Sequence, residues 1–260
     1  MATISLVQGA SRGIGLQFCR TLLARGPDSV VIATCRSPDS ATDLQKLSQQ
    51  YPNQLRIHQL DITREGDIEK TSRTIAEETD RLDLLINSAG MLHPSGRGET
   101  SLKDVSSEGL SVSMMTNALG PTLMTKYFSP LLAKGVGVFG VQAAEPKARH
   151  SAVLVNMSAK VGSITDNGLG GWYSYRMSKA ALNMATKNLS IELGRGRNKV
   201  ICVALHPGTV DTDLSRPYHK GVPNLFTVEH SVNCLMNVIT SLTMKDSGKY
   251  LTYDRTELPF

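Results

Sequence analysis

Residues 3–15 read TISLVQGASRGIG. Six residues rich in apolar and β-branched side chains run directly into a segment where Gly9, Gly13 and Gly15 are spaced G-x-x-x-G-x-G, and helical spacing of apolar residues follows over 13–25. A buried strand, a tight turn and a helix N-terminus in that order form a specific local structure. Glycine supplies left-handed backbone and lets the main chain come close to a ligand. The helix start offers unpaired N–H groups and the positive end of the helix dipole. This context predicts a pyrophosphate cradle, and so a dinucleotide site, from Gly9, Ser11, Arg12, Gly13, Ile14 and Gly15.

The same rhythm continues outward. Short apolar runs at 29–35, 54–60, 83–87, 151–157 and 199–205 are bounded by turn residues, as buried parallel strands are, and 249–253 reads as a last strand. Helical patterns fill 40–50, 64–79, 109–133, 172–194 and 227–242 between them. Strand–helix alternation with no linker or repeat predicts one α/β domain over 1–260, doubly wound and Rossmann-type, with a seven-stranded, mostly parallel sheet between two helical layers. Residues 134–150 exceed the usual helix-to-strand connection and predict a surface excursion.

The second strand ends ATCRSP, with Cys35 and Arg36 where an acid would hold the ribose of NAD. A guanidinium there suits a 2′-phosphate. Arg36, with Arg12 as a second cation, therefore predicts NADP(H), with Asp39 the one nearby acid.

WYSYRMSK, residues 172–179, offers four hydroxyls ahead of one lysine. On a helix only Tyr175 stands four residues before Lys179 on the same face. A nearby ammonium favours phenolate and would lower the phenol's pKa from about 10, making Tyr175 a general acid for a carbonyl oxygen or a base for an alcohol.

Taken in order, G-x-x-x-G-x-G, N-S-A-G (87–90), Ser158 closing the fifth strand, Y-x-x-x-K (175–179) and P-G-x-V-x-T (207–212) resemble the short-chain dehydrogenase/reductase family over almost the whole chain. N-M-S at 156–158, DNGLGGWYSYRMSKAALN from 166 and the ending Y-D-x-x-x-x-P-F look like its C-factor/sniffer-type carbonyl reductases. The resemblance implies a catalytic set of Asn117, Ser158, Tyr175 and Lys179. Tyr175 would exchange the proton, and Lys179 would lower its pKa and hold the nicotinamide ribose. Ser158 would bond the substrate oxygen, and Asn117 would hold a water in a proton relay. Asp61 with Ile62 would contact adenine, and Asn87, Ala89 and Gly90 would line the adenosine ribose. Val210 and Thr212 would hold the carboxamide after the Pro207–Gly208 turn. Two features depart from the family pattern: Gln8 replaces the usual threonine, removing a hydroxyl that would brace the turn, and Tyr175 follows Ser158 by seventeen residues, a long spacing. Members are often dimers or tetramers through the helices at 109–133 and 172–194.

The expected function is NADPH-dependent reduction of an aldehyde or ketone; the alternative is a non-catalytic NADP(H)-binding sensor. Residues 212–228 are the expected substrate lid and 91–100 a second wall, with Met91, Leu92, Trp172, Tyr218 and Phe226 as pocket residues. A Ser158–His206–Asp211 hydrolase triad lacks its G-x-S-x-G elbow. The six histidines are dispersed, so no metal site is expected. The net charge of +5 is diffuse, and RGRNK (195–199) reads as a solvated turn rather than a nucleic-acid site. No apolar run reaches membrane-spanning length, the chain starts almost at once on a strand, and four scattered cysteines suit a reducing compartment, so the expected location is the cytoplasm.

Overall fold

The computed structural model describes residues 2–220 and 224–260. Seven strands, β1 (Thr3–Gln8), β2 (Ser29–Cys35), β3 (Leu55–Gln59), β4 (Leu84–Asn87), β5 (His150–Met157), β6 (Lys199–His206) and β7 (Tyr250–Thr252), form one sheet in the order β3-β2-β1-β4-β5-β6-β7. Every neighbouring pair is parallel. The winding direction reverses between β1 and β4, the place where this architecture opens a crevice beyond the strand ends.

Alternate residues of each strand feed two separate cores. Val7, Val31, Ala33 and Ile86 pack against helices α1 (Gly13–Leu23), α2 (Thr42–Gln50) and, further along, α7 (Val228–Ser241). Leu6, Ile32 and Leu85 face the other way, onto α3 (Glu65–Glu78) and α5 (Gly120–Leu132) through Ile68, Ile75, Met124 and Phe128. Leu189 and Leu193 of α6 (Tyr173–Leu193) pack against that second core. The period-two split explains why the strands read as continuous apolar runs: both faces are covered.

The helix predicted over 109–133 is three pieces. Helix α4 (Ser107–Met114) passes into a π-turn at Met115–Leu119 before α5 begins, and Gly120 N–H bonds the Met115 carbonyl five residues back. Pro121 has no N–H to give the Asn117 carbonyl, so the ladder slips by one at this point. The excursion at 134–150 is partly anchored. Phe139 is fully buried in the α1/α7 core, and the Gln142 amide bonds the carbonyls of Gly137 and His150, while 144–147 remain exposed. All four cysteines are unpaired, and no described helix is long and apolar enough to cross a membrane.

Candidate active site

One cleft of about 870 Å³ runs across the C-terminal ends of the strands. It gathers residues that follow β1 (Gly9, Ser11, Arg12, Gly13, Ile14, Gly15), β2 (Arg36), β3 (Asp61, Ile62), β4 (Ala89, Gly90), β5 (Ser158) and β6 (Pro207, Gly208, Val210, Thr212), together with Tyr175 and Lys179 of α6. Asn87 and Asn117 do not line it. Asn87 lies beneath, donating to Asn156 Oδ1 at 2.8 Å. Asn117 sits in the π-turn and clamps the backbone of Met91: its Nδ2 donates to Met91 O at 2.8 Å and its Oδ1 accepts from Met91 N–H at 2.9 Å.

The glycine turn is shaped by close approach. Gly9 has φ +84°, and a Cβ there would lie 2.5 Å from Ala89 N. Gln8, in place of the family's threonine, supplies the missing brace with its amide oxygen, which accepts from Ala89 N–H at 3.1 Å. Helix α1 begins after Arg12 with no side-chain cap and no acid in its first turn. Its orphan N–H groups and dipole therefore face the cleft uncompensated, which fits an anionic phosphate. Arg12 is already paired in this structure. Its Nη1 pairs with Asp213 Oδ2 at 2.9 Å, and Arg216 holds the other oxygen of Asp213 at 2.6 Å, tying the glycine turn to the segment after β6. Arg36 lines the cleft near Asp61, whose carboxylate burial would raise; bonds from Thr63 outweigh that, Arg36 and Arg64 help, and the group titrates low. Asp39 is exposed and lies outside the cleft.

Of the four hydroxyls in WYSYRMSK, only that of Tyr175 belongs to a residue lining the cleft. Ser174 bonds Glu99, and Ser178 Oγ donates to the Tyr175 carbonyl at 2.8 Å. Lys179 Nζ stands 5.7 Å from the Tyr175 ring centroid and donates to Met157 O at 2.7 Å. Both side chains are deeply buried, and desolvation disfavours each charged form. It pushes the Tyr175 phenol up and pulls Lys179 down to about 7. In this structure burial alone sets the direction for Tyr175, and the Lys179 amine is engaged by the Met157 carbonyl. Ser158 Oγ donates to Asn183 Oδ1 at 2.7 Å.

Met91, Leu92, Leu169, Trp172, Leu214 and Tyr218 give the cleft an apolar and aromatic part of its lining. Trp172 and Tyr218 rings lie 4.6 Å apart. Phe226, expected in the pocket, packs instead on His230 and Tyr253. Lys160, Arg176 and His206 also line the cleft, and no spacing in the sequence marked the first two as site residues. Burial, and then Lys160, pulls His206 down to about 4. No hydrolase triad forms, since Ser158 bonds Asn183, His206 Nδ1 has no partner, and Asp211 stands 3.7 Å from His219. Residues 221–223 of the expected lid lie outside the described residues.

Comparison with known proteins agrees with this architecture. Residues 3–222 match the family described as short chain dehydrogenase. A solved NADPH-bound carbonyl reductase from chicken fatty liver is 34% identical with TM-score 0.85, covering 100% of this chain and 99% of that one. The carbonyl reductase Sniffer of Drosophila melanogaster is 32% identical with TM-score 0.86, and each chain is covered in full. C-signal of Myxococcus xanthus is 34% identical over 182 residues, 70% of this chain and 95% of that protein. The chain belongs to the short-chain dehydrogenase/reductase family.

Proposed function

We propose that this protein reduces an aldehyde or ketone to an alcohol with NADPH, with Tyr175 as the proton donor. The observation that carries the reading is the meeting of Ser158, Tyr175 and Lys179 in one cleft with an uncapped helix N-terminus and Arg36. Gly9, Ser11, Arg12, Gly13, Ile14 and Gly15 would hold the pyrophosphate, and Arg36 the 2′-phosphate. Asp61, Ile62, Asn87, Ala89 and Gly90 would serve the adenosine half, directly or, for Asn87, from beneath. Pro207, Gly208, Val210 and Thr212 would hold the carboxamide. The bound nicotinamide supplies the hydride, which is the cofactor's own chemistry.

The chain's residues supply orientation and the proton. A phenol is protonated at neutral pH, as a donor must be, and burial pushes Tyr175 further in that direction. An alkoxide is a stronger base than a phenolate, so the transfer from Tyr175 runs downhill once the carbonyl oxygen has become charged. Ser158 turns its hydroxyl from Asn183 to the same oxygen and steadies the charge. Lys179 anchors the ribose and, through Tyr175, the returning proton. Asn117 fixes Met91, and so the wall beside the reacting carbon. The apolar and aromatic lining favours a carbonyl compound with an apolar body.

We also propose a cytoplasmic homodimer or homotetramer. Met177, Met184 and Ile191 recur every seven residues along α6 and are exposed, forming an apolar seam that a second copy would cover. Sedimentation velocity at micromolar protein would show a dimer or tetramer; a monomer would end that part of the proposal. The enzymatic reading is tested by NADPH and NADH oxidation against a panel of aldehydes, ketones and quinones. Turnover preferring NADPH is expected. Tight NADPH binding with no turnover across the panel would favour the sensor instead.

A further inference from the structure

Helix α6 carries Tyr175 and Lys179, yet its start lacks the usual supports. Its cap residue, Trp172, provides no side-chain acceptor, and the first turn contains no acid. Trp172 is also held at φ +49°, following Gly170 and Gly171 at +66° and +64°. A bulky side chain rarely adopts that backbone region, so something outside the helix must fix it.

That support comes from Glu99, in the 91–100 wall. The Glu99 carbonyl accepts from Trp172 N–H at 2.6 Å. Its carboxylate accepts from Ser174 N–H at 3.1 Å and from the Ser174 hydroxyl. Ser174 is the second residue of the helix, one of the positions whose N–H a capping side chain normally satisfies. The Glu99 side chain is only 1% exposed, and the His93 imidazole stands beside it, with Nε2 4.0 Å away. Burial acts to raise the Glu99 carboxyl, but the Ser174 donors outweigh it and the group titrates below its usual range. The neighbouring residues close the node. Gly98 leaves room for Trp172, since a Cβ there would lie 2.6 Å from the indole, and Gly98 N–H donates to Tyr218 Oη at 2.9 Å.

We infer that Glu99 is a positioning residue, acting as a remote N-terminal cap on the helix that carries Tyr175 and thereby setting where the phenol stands. The inference rests on the proposed role of Tyr175. Tyr175 is the third residue of the helix, inside the turn that Glu99 closes. Lys179 lies one turn on and is held separately by Met157 O. Loss of Glu99 therefore displaces the phenol while sparing the lysine and the nucleotide.

The test compares Glu99→Ala, Glu99→Gln, Ser174→Ala and Tyr175→Phe for kcat, KM and NADPH Kd. Glu99→Ala should lower kcat about 30-fold, the scale of a sub-ångström to ångström misplacement, with NADPH Kd within about twofold. Glu99→Gln keeps an acceptor for Ser174 and should recover most of kcat. Ser174→Ala, which loses only the hydroxyl bond, should lower kcat about threefold. If Glu99→Ala does not fold, Ser174→Ala decides, and an unchanged kcat there overturns the inference. Normal kcat in Glu99→Ala, or equal loss of kcat and nucleotide binding, overturns it while leaving an inactive Tyr175→Phe to uphold the proton-donor reading. An active Tyr175→Phe removes both.

Discussion

Gly9→Ala probes a close backbone approach between two strand-end loops of the cleft. Its cost separates into two parts, each readable at another glycine. The first is conformational: Gly9 has φ +84°, and Gly96 has φ +79° with nothing within 4 Å of an added Cβ. Gly96→Ala should therefore show the left-handed penalty alone, about 1–2 kcal/mol. The second is steric. At Gly9 the Cβ would sit 2.5, 2.7 and 2.9 Å from Ala89 N, Cα and Cβ, mostly backbone that cannot swing aside. Forcing the β1 and β4 loops apart adds about 1–3 kcal/mol. Gly9→Ala should thus lose roughly 2–5 kcal/mol in all. Gly66, in the first turn of α3 with open space around it, is the opposite control, and Gly66→Ala should gain about 0.5–1 kcal/mol. Thermal melts read these values at about 2–4 °C per kcal/mol for a domain near this size. NADPH titration provides the second axis: Gly9→Ala should weaken binding at least tenfold, since the phosphate loop must shift, and Gly96→Ala should leave it unchanged. A Gly9→Ala protein that melts and binds like Gly96→Ala would refute the close approach to Ala89 and the cradle drawn from it.

Two further outcomes follow from charge. Burial pulls Lys179 to about 7, against about 10.4 in an unfolded chain, so the unfolded state holds the extra proton between those values. The penalty is full below pH 7 and disappears as pH rises toward 10. Lys179→Met, measured by urea denaturation without nucleotide, should therefore show a stability difference from wild type that moves in favour of wild type with rising pH, by up to about 1.4 kcal/mol per unit; a flat difference contradicts the burial argument. Arg36→Ala should raise the NADPH Kd about 10–100-fold and barely change that of NADH, as loss of a charge-assisted phosphate contact would. Equal effects on both nucleotides would remove Arg36 from that role.

The strands and the phosphate loop were legible because both obey local rules. Buried parallel strands must be apolar on both faces, and a left-handed turn under close approach must be glycine. Helix geometry singled out Tyr175 among four hydroxyls as the neighbour of Lys179, and the family resemblance supplied the role expected of the pair. The break at 115–119 had a readable cause in Pro121, but a proline early in a helix is also tolerated at a first turn, and the pattern of apolar residues ran on across it. Gln8 removes a hydroxyl that the family pattern would place before the turn, yet its longer side chain carries an amide oxygen that reaches the Ala89 N–H. Glu99 left no signal. It caps a helix that begins 74 residues later, and only the folded loop brings the two together. Lys160 and Arg176 were hidden for a similar reason, being cleft residues through tertiary placement.

The central claim is that Tyr175 gives the proton in an NADPH-dependent carbonyl reduction. Tyr175→Phe keeps the ring that packs edge-on to Trp172 at 6.3 Å and deletes only the hydroxyl. With the best carbonyl substrate from the panel, the account predicts folded protein, NADPH Kd within about twofold of wild type, and kcat lower by at least 10²-fold, the scale of a lost general acid. Turnover near the wild-type rate would contradict it.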